Sequence, residues 1–101
     1  MAEVISPQLL KALTDITGEG QLDSALRIVT QKAIAHRLGQ LAKQLRTLEQ
    51  KYGMPFTQFD TQFQAGKILQ QHSYEVEQDY LEWEGLLCRQ RRLQEIEDRL
   101  R

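Results

Sequence analysis

The chain has little of several residue types, and each shortage narrows the fold. It has one cysteine, Cys88, so no disulfide can form within the chain and a zinc site would need several histidines or carboxylates instead. No stretch approaches the ~20 apolar residues that a membrane span requires, and no basic flank with an apolar run marks a signal peptide. We therefore expect a cytoplasmic protein that does not associate with membranes.

Charge of one sign is missing from two long segments, although the formal net charge is only -1. Residues 24–48 carry five cations and no acid, whereas residues 68–88 carry five acids and no Lys or Arg. Such asymmetry indicates either binding of a partner or self-association. Alternatively, the two segments are helices of one chain that neutralise each other.

Val and Ile are few, whereas Leu, Gln, Glu, Arg, Ala and Lys dominate. This composition favours helix over sheet, and 101 residues leave room for a single domain, residues 1–101. We predict an elongated all-α fold. Its helices are expected at about 7–17, 22–52, 56–65 and 74–100.

Proline, glycine and capping residues mark the helix ends. Ser6 followed by Pro7 is a strong helix start, and Gly53 followed by Pro55 ends the longest helix. Thr57 and Ser73 are the expected N-caps of the third and fourth helices. Before the first helix, residues 4–5 would allow a brief strand.

A heptad pattern runs along the second half of the long helix, with apolar residues at alternating spacings of four and three. This pattern keeps one stripe of a helix facing a partner helix. We expect it to form a homodimer interface through Ile34, Leu38, Leu41, Leu45 and Leu48. The stripe steps sideways between Ala33 and Ile34, so either the two halves face different partners or the helix bends near Gly39.

No arrangement of residues typical of catalysis is present. His36, His72 and Cys88 are isolated from one another, and nothing supplies the base that a nucleophilic cysteine needs. No glycine-rich phosphate loop exists, and the acids of the last helix read as a solvated face. We expect no enzyme, no metal site and no cofactor.

Aromatic residues concentrate in the second half of the chain. All but one of the seven Phe, Tyr and Trp residues lie between positions 56 and 83. With acids around them, they are typical of a partner-anchoring surface, and equally of a small core. The candidate partner-binding residues are Phe56, Phe59, Phe63, Tyr80, Trp83 and Leu87.

The basic stretch of the long helix is a candidate for nucleic-acid binding, because nonspecific binding is chiefly neutralisation of phosphate charge. The candidate contacts are Arg27, Lys32, Arg37 and Lys43. These cations are spread round the helix, which also fits the surface of any soluble helix.

Two passages resemble small bacterial antitoxins of toxin–antitoxin pairs. The first comprises SPQLLKAL at residues 6–13, Thr17-Gly18 and SALR at residues 24–27, and it is similar to the helical portion of ribbon-helix-helix antitoxins. The second comprises LEQKYGMPF at residues 48–56 and SYEVEQDYLEWE at residues 73–84. It resembles short proteins that are often described as antitoxin components.

The resemblance implies an interaction protein that binds and neutralises a small toxin, with autoregulatory DNA binding as a secondary expectation. Residues 1–52 would then form a helical hairpin and dimerise, and residues 53–101 would bind the toxin. Residues 2–5 contain no basic side chain, which departs from the DNA-reading ribbon of that family. The alternatives are a scaffolding helical homodimer without a toxin partner and a dimer that binds nucleic acid alone.

Overall fold

The computed structural model describes residues 6–101, and the brief strand predicted at residues 4–5 lies outside the described residues. Within this range the fold is all-α, as predicted. The helices are α1 (Pro7–Thr17), α2 (Leu22–Tyr52), α3 (Phe56–Gln64) and α4 (Tyr74–Arg99). Their ends lie within one residue of the predicted ones. None of these helices has the length and apolarity to cross a membrane.

The predicted start and stop signals act as expected at α1 and α2. The Ser6 hydroxyl accepts a hydrogen bond from the backbone N–H of Leu9 at 3.2 Å, and Pro7 opens the helix. Gly18 and Gly53 end the two helices with φ values of 71° and 69°. Glycine adopts this left-handed conformation without the penalty that a Cβ would bring.

The caps of the later helices are only partly as predicted. Ser73 caps α4 by accepting a hydrogen bond from the N–H of Val76 at 3.3 Å, as expected. At α3 the capping position belongs to Pro55, not Thr57, because the N–H of Phe59 already donates to the carbonyl oxygen of Pro55 at 3.0 Å. The helix therefore begins two residues earlier than a threonine cap would place it.

Two long helices, α2 and α4, form an antiparallel hairpin that is bonded at both ends. At one end the ammonium group of Lys51 donates to Glu75 and to Asp79, each at 2.6 Å. At the other end Arg27 and Gln31 donate to the carbonyl oxygen of Leu100, at 3.0 and 3.2 Å. The described chain measures 58 × 27 × 20 Å, with a radius of gyration of 19.7 Å. A compact domain of this length would have about 13 Å, so the predicted elongation is confirmed.

The main core lies at the α3 end of the hairpin, where α2, α3 and α4 meet. It is a cluster of buried side chains: Leu41, Leu45, Leu48, Phe59, Val76, Trp83 and Leu86. Beyond Leu86, α4 has no buried residue, and Leu93 and Ile96 are half-buried. At the far end α1 packs on α2, where Leu13 and Ala25 are buried.

The heptad stripe of α2 packs inside the chain, which corrects its assignment to a dimer interface. Ile34, Leu41, Leu45 and Leu48 are buried, and Leu38 is half-buried. Three of them share the core cluster with residues of α4. The helix that the stripe faces is therefore the last helix of the same chain, brought alongside by α3 and the following turn. The first half of α2 packs with α1, in agreement with the prediction that the two halves have different neighbours.

Candidate interaction surfaces

The predicted partner-binding aromatics form the centre of the chain's own core. Phe59 and Trp83 are 0% exposed, and their ring centroids lie 5.1 Å apart. The other predicted residues are half-buried and pack against the core cluster: Phe56, Phe63, Tyr80 and Leu87. A partner cannot be anchored by side chains that solvent does not reach, so this assignment is corrected for Phe59 and Trp83.

Ring-to-ring contacts hold α3 between the two long helices. Tyr52 at the end of α2 lies 4.5 Å from Phe59, measured between ring centroids. On the α4 side, Phe63 stacks on Tyr80 at 4.5 Å and Phe56 lies 5.3 Å from Trp83. Such pairs contribute about 0.5–1.5 kcal/mol each beyond the area that they bury. A helix of only 9 residues is therefore fixed by its aromatic side chains.

A polar network borders this cluster on the α2 side. The carboxylate of Asp79 accepts hydrogen bonds from the Tyr52 hydroxyl at 2.5 Å and from Lys51 at 2.6 Å. Hydrogen bonds to Asp79 and Glu75 raise the pKa of Lys51. Burial, followed by the hydrogen bond to Asp79, raises the pKa of Tyr52 to about 12. A comparable pair lies on the α3 side, where Tyr80 donates to Asp60 at 2.6 Å and this bond raises the pKa of Tyr80.

This network predicts a stability loss at high pH. The pKa of Tyr52 is raised from 10.0 to about 12 in the folded chain, so its stabilising contribution is complete below pH 10. That contribution is lost as the pH rises through the folded value. We expect a late step in the phenolate absorbance titration that is smaller in Tyr52→Phe, in which Tyr80 still has a raised pKa.

The Asp79→Asn variant should bring this step to lower pH, because the carboxylate charge no longer favours the protonated phenol. Burial still acts on Tyr52, so the shift should be partial. Asp15→Asn is the matched control, since Asp15 is exposed on α1 and bonds neither Tyr52 nor Tyr80. An Asp79→Asn titration identical to that of the wild type would contradict the role given to Asp79.

The predicted nucleic-acid contacts do not form one surface. Arg37 and Lys43 line an open groove between α2 and α4, whereas Arg27 bonds the end of α4 and Lys32 is exposed elsewhere on α2. The groove has a volume of about 780 Å³, and we call it the basic groove. Two further cations line it, Arg89 and Arg92, and its one acid is Glu82. These two arginines were not predicted from the sequence, although their position on the opposite helix follows from an antiparallel hairpin.

Within the part of the chain that the structure describes, apolar side chains are left uncovered on two helices. On α1, Leu9, Ala12 and Ile16 follow one another at spacings of three and four, and we call them the N-terminal stripe. Leu9 is 52% and Ile16 75% exposed. On α4, Tyr74 is 79% and Leu81 59% exposed, seven residues apart on one face.

The groups typical of catalysis are scattered. Among residues 6–101, no three His, Cys, Asp or Glu side chains gather as metal ligands would. Cys88 is exposed on α4, and His72 lies 3.8 Å from Glu77 at the start of the same helix. Comparisons with protein-family models, curated proteins and solved structures found no significant match to the chain.

Proposed function

We propose that the protein is a non-enzymatic interaction protein that binds another protein through the N-terminal stripe. The observation that carries this proposal is the exposure of Leu9 and Ile16 on a strongly amphipathic helix. Single exposed apolar residues are normal, but a stripe along two turns of one helix indicates a surface that is covered on binding. Apolar area removed from water contributes about 25 cal/mol per Å².

The stripe fits one mode of recognition, in which an amphipathic helix lays its apolar face into a groove of its partner. Anchors spaced by three, four and seven residues are the signature of that mode, and Leu9, Ala12 and Ile16 have this spacing. Lys11 and Asp15 are exposed on α1 beside the stripe, where they keep the free helix soluble. The occupant is therefore expected to be a small protein that offers an apolar groove.

In its most specific form, the proposal is that this partner is a small toxin and that the chain is its antitoxin in the cytoplasm. The support is the resemblance at residues 6–27 and 48–84. The aromatic residues would then hold the scaffold together, and α1 would make the contact. This differs from the sequence-based expectation, which assigned toxin binding to residues 53–101.

The test is co-expression with the small protein encoded next to this chain. We expect the wild type to restore growth and to bind that protein, and Leu9→Gln/Ile16→Gln to bind it roughly 10–100-fold more weakly, because central apolar anchors carry most of the energy of an interface. The matched control is Leu69→Gln, which replaces a leucine that is 86% exposed in the loop before α4. If Leu9→Gln/Ile16→Gln neutralised the toxin as well as the wild type does, this role of α1 would be refuted.

The second candidate is a scaffolding helical homodimer with no toxin partner. The burial of Trp83 in the chain's own core favours it, because that aromatic group needs no external partner. Under this alternative, no neighbouring small protein is toxic. The chain then forms homodimers, and co-expression with the neighbouring small protein leaves their mass unchanged because no complex forms.

A further inference from the structure

The exposed face of α4 carries charged side chains that have no ion-pair partner among the described residues. Tyr74, Leu81, Gly85 and Arg92 share one stripe along this helix, and we call it the α4 stripe. Acids flank its first half, whereas its second half is flanked by arginines and by one acid, Glu95. The exposure of Tyr74 and Leu81 shows that residues 6–101 leave the first half uncovered.

We propose that a second copy of this chain covers the α4 stripe, with the two α4 helices antiparallel. An antiparallel arrangement places the acidic half of each helix on the basic half of the other. Because the two copies are related by a two-fold axis, each ion pair between them occurs twice. The inference is independent of the proposed function, which rests on α1.

The register is set by two acids of the first half, Glu82 and Glu84, and two arginines of the second half, Arg89 and Arg91; it leaves Glu77 beside Glu95 of the second copy. When Leu81 faces Arg92 of the second copy, Gly85 faces Cys88 of the second copy. Glu84 then lies beside Arg91 of the second copy, and Glu82 beside Arg89. Each of these two ion pairs occurs twice in the dimer. All four side chains are exposed in the monomer, and none has an ion-pair partner among the described residues.

Gly85 supplies a second, independent observation. A glycine inside a helix weakens it relative to alanine, so its presence calls for a reason. The chain itself gives none: a Cβ at Gly85 would meet only the Arg89 guanidinium, at the ordinary contact distance of 3.7 Å. A glycine at the crossing point would let two α4 helices approach closely. Gly85 lies at the centre of the proposed register.

Other occupants fit the surface less well. Nucleic acid is attracted by the arginines, but it would be repelled by the acidic half of the stripe. The apolar floor of the neighbouring basic groove, which includes Leu86, Leu93 and Ile96, offers no aromatic ring on which a base could stack. A second copy offers arginines to Glu82 and Glu84 and acids to Arg89 and Arg91 at once.

The decisive experiment uses two complementary charge reversals, with solution mass measured by light scattering. Glu82→Lys/Glu84→Lys and Arg89→Glu/Arg91→Glu should each dimerise at least tenfold more weakly than the wild type, because like charges then meet across the axis. An equimolar mixture of the two variants should dimerise again, since each reversed half meets its complement. Arg46→Glu/Glu49→Lys, with two charges reversed on the exposed face of α2, is the matched control and should behave as the wild type.

Two further measurements make the register testable. A short bis-maleimide should join two wild-type chains through the native Cys88, but not two chains of Cys88→Ser/Gln50→Cys. Gly85→Gln should raise the midpoint of thermal unfolding and weaken the dimer, whereas Gly39→Gln should raise the midpoint alone. Circular dichroism verifies that each variant is folded.

Several results would overturn the proposal. A wild type that stays monomeric at high concentration would do so, as would charge-reversed variants that dimerise like the wild type or do not recover on mixing. The wild type could instead stay monomeric and bind duplex DNA or an acidic helical peptide. If Arg89→Glu/Arg91→Glu lost that binding, the stripe would be covered by that ligand and not by a second copy.

Discussion

Replacing Trp83 with alanine is expected to lower the free energy of unfolding by about 3–5 kcal/mol. The indole is 0% exposed and packs against rings from α2 and α3, with centroid distances of 6.0 Å to Tyr52 and 5.1 Å to Phe59. Its removal leaves a cavity where three helices meet. Small domains have a total stability of about 5–15 kcal/mol, so much of it would be lost. Urea unfolding followed by circular dichroism measures the change.

Tyr74→Ala provides the matched control for this prediction. Tyr74 is an aromatic residue of the same helix, but it is 79% exposed. At low protein concentration, where no dimer forms, its replacement should change the free energy of unfolding by less than about 0.5 kcal/mol. If Trp83→Ala changed the free energy of unfolding as little as Tyr74→Ala, the aromatic cluster would not be the core. The sequence-based prediction that it binds a partner would then stand.

Replacing Leu45 with glutamate is expected to unfold the hairpin. Leu45 is buried in the core cluster, and a carboxylate placed there would have no partner among the surrounding apolar side chains. A buried polar group without a hydrogen bond costs several kcal/mol, and a lost leucine adds to that, so we expect a destabilisation of about 4 kcal/mol or more. The measurements are helical content and the midpoint of thermal unfolding.

The same substitution distinguishes a stripe packed within one chain from a stripe that joins two chains. If the stripe joined two chains, Leu45→Glu would halve the solution mass and leave each helical chain folded. If it packs on α4, the chain itself unfolds. Thr47→Glu controls for the effect of a glutamate on α2, because Thr47 is exposed two residues away. It should leave both the mass and the helical content unchanged.

The helices could be predicted from the sequence because their ends are governed by local chemistry. Ser6 and Ser73 cap free N–H groups, and Gly18 and Gly53 adopt left-handed backbone conformations. The exception, Pro55 in place of Thr57, arises because the backbone carbonyl at Pro55 already accepts the first helical hydrogen bond. Pro55 makes no side-chain cap hydrogen bond, so the side-chain signal favoured Thr57, two residues later.

The neighbours of these helices could not be predicted, since periodicity shows that a stripe is covered but not by what. Leu41 and Leu48 fit a second copy and an antiparallel α4 equally well. What decides between them is α3, whose ring contacts turn the chain back on itself. Arg89 and Arg92 were missed for the same reason, because they face Arg37 and Lys43 only once the hairpin is known.

The most direct test of the intramolecular core is a nuclear Overhauser effect between Trp83 and Phe59 in isotope-labelled chain diluted with unlabelled chain. The rings lie 5.1 Å apart between centroids and belong to different helices. We predict that the signal per labelled chain is unchanged by dilution, since both rings belong to one molecule. A signal that fades with dilution, or that appears only between differently labelled chains, would contradict this account.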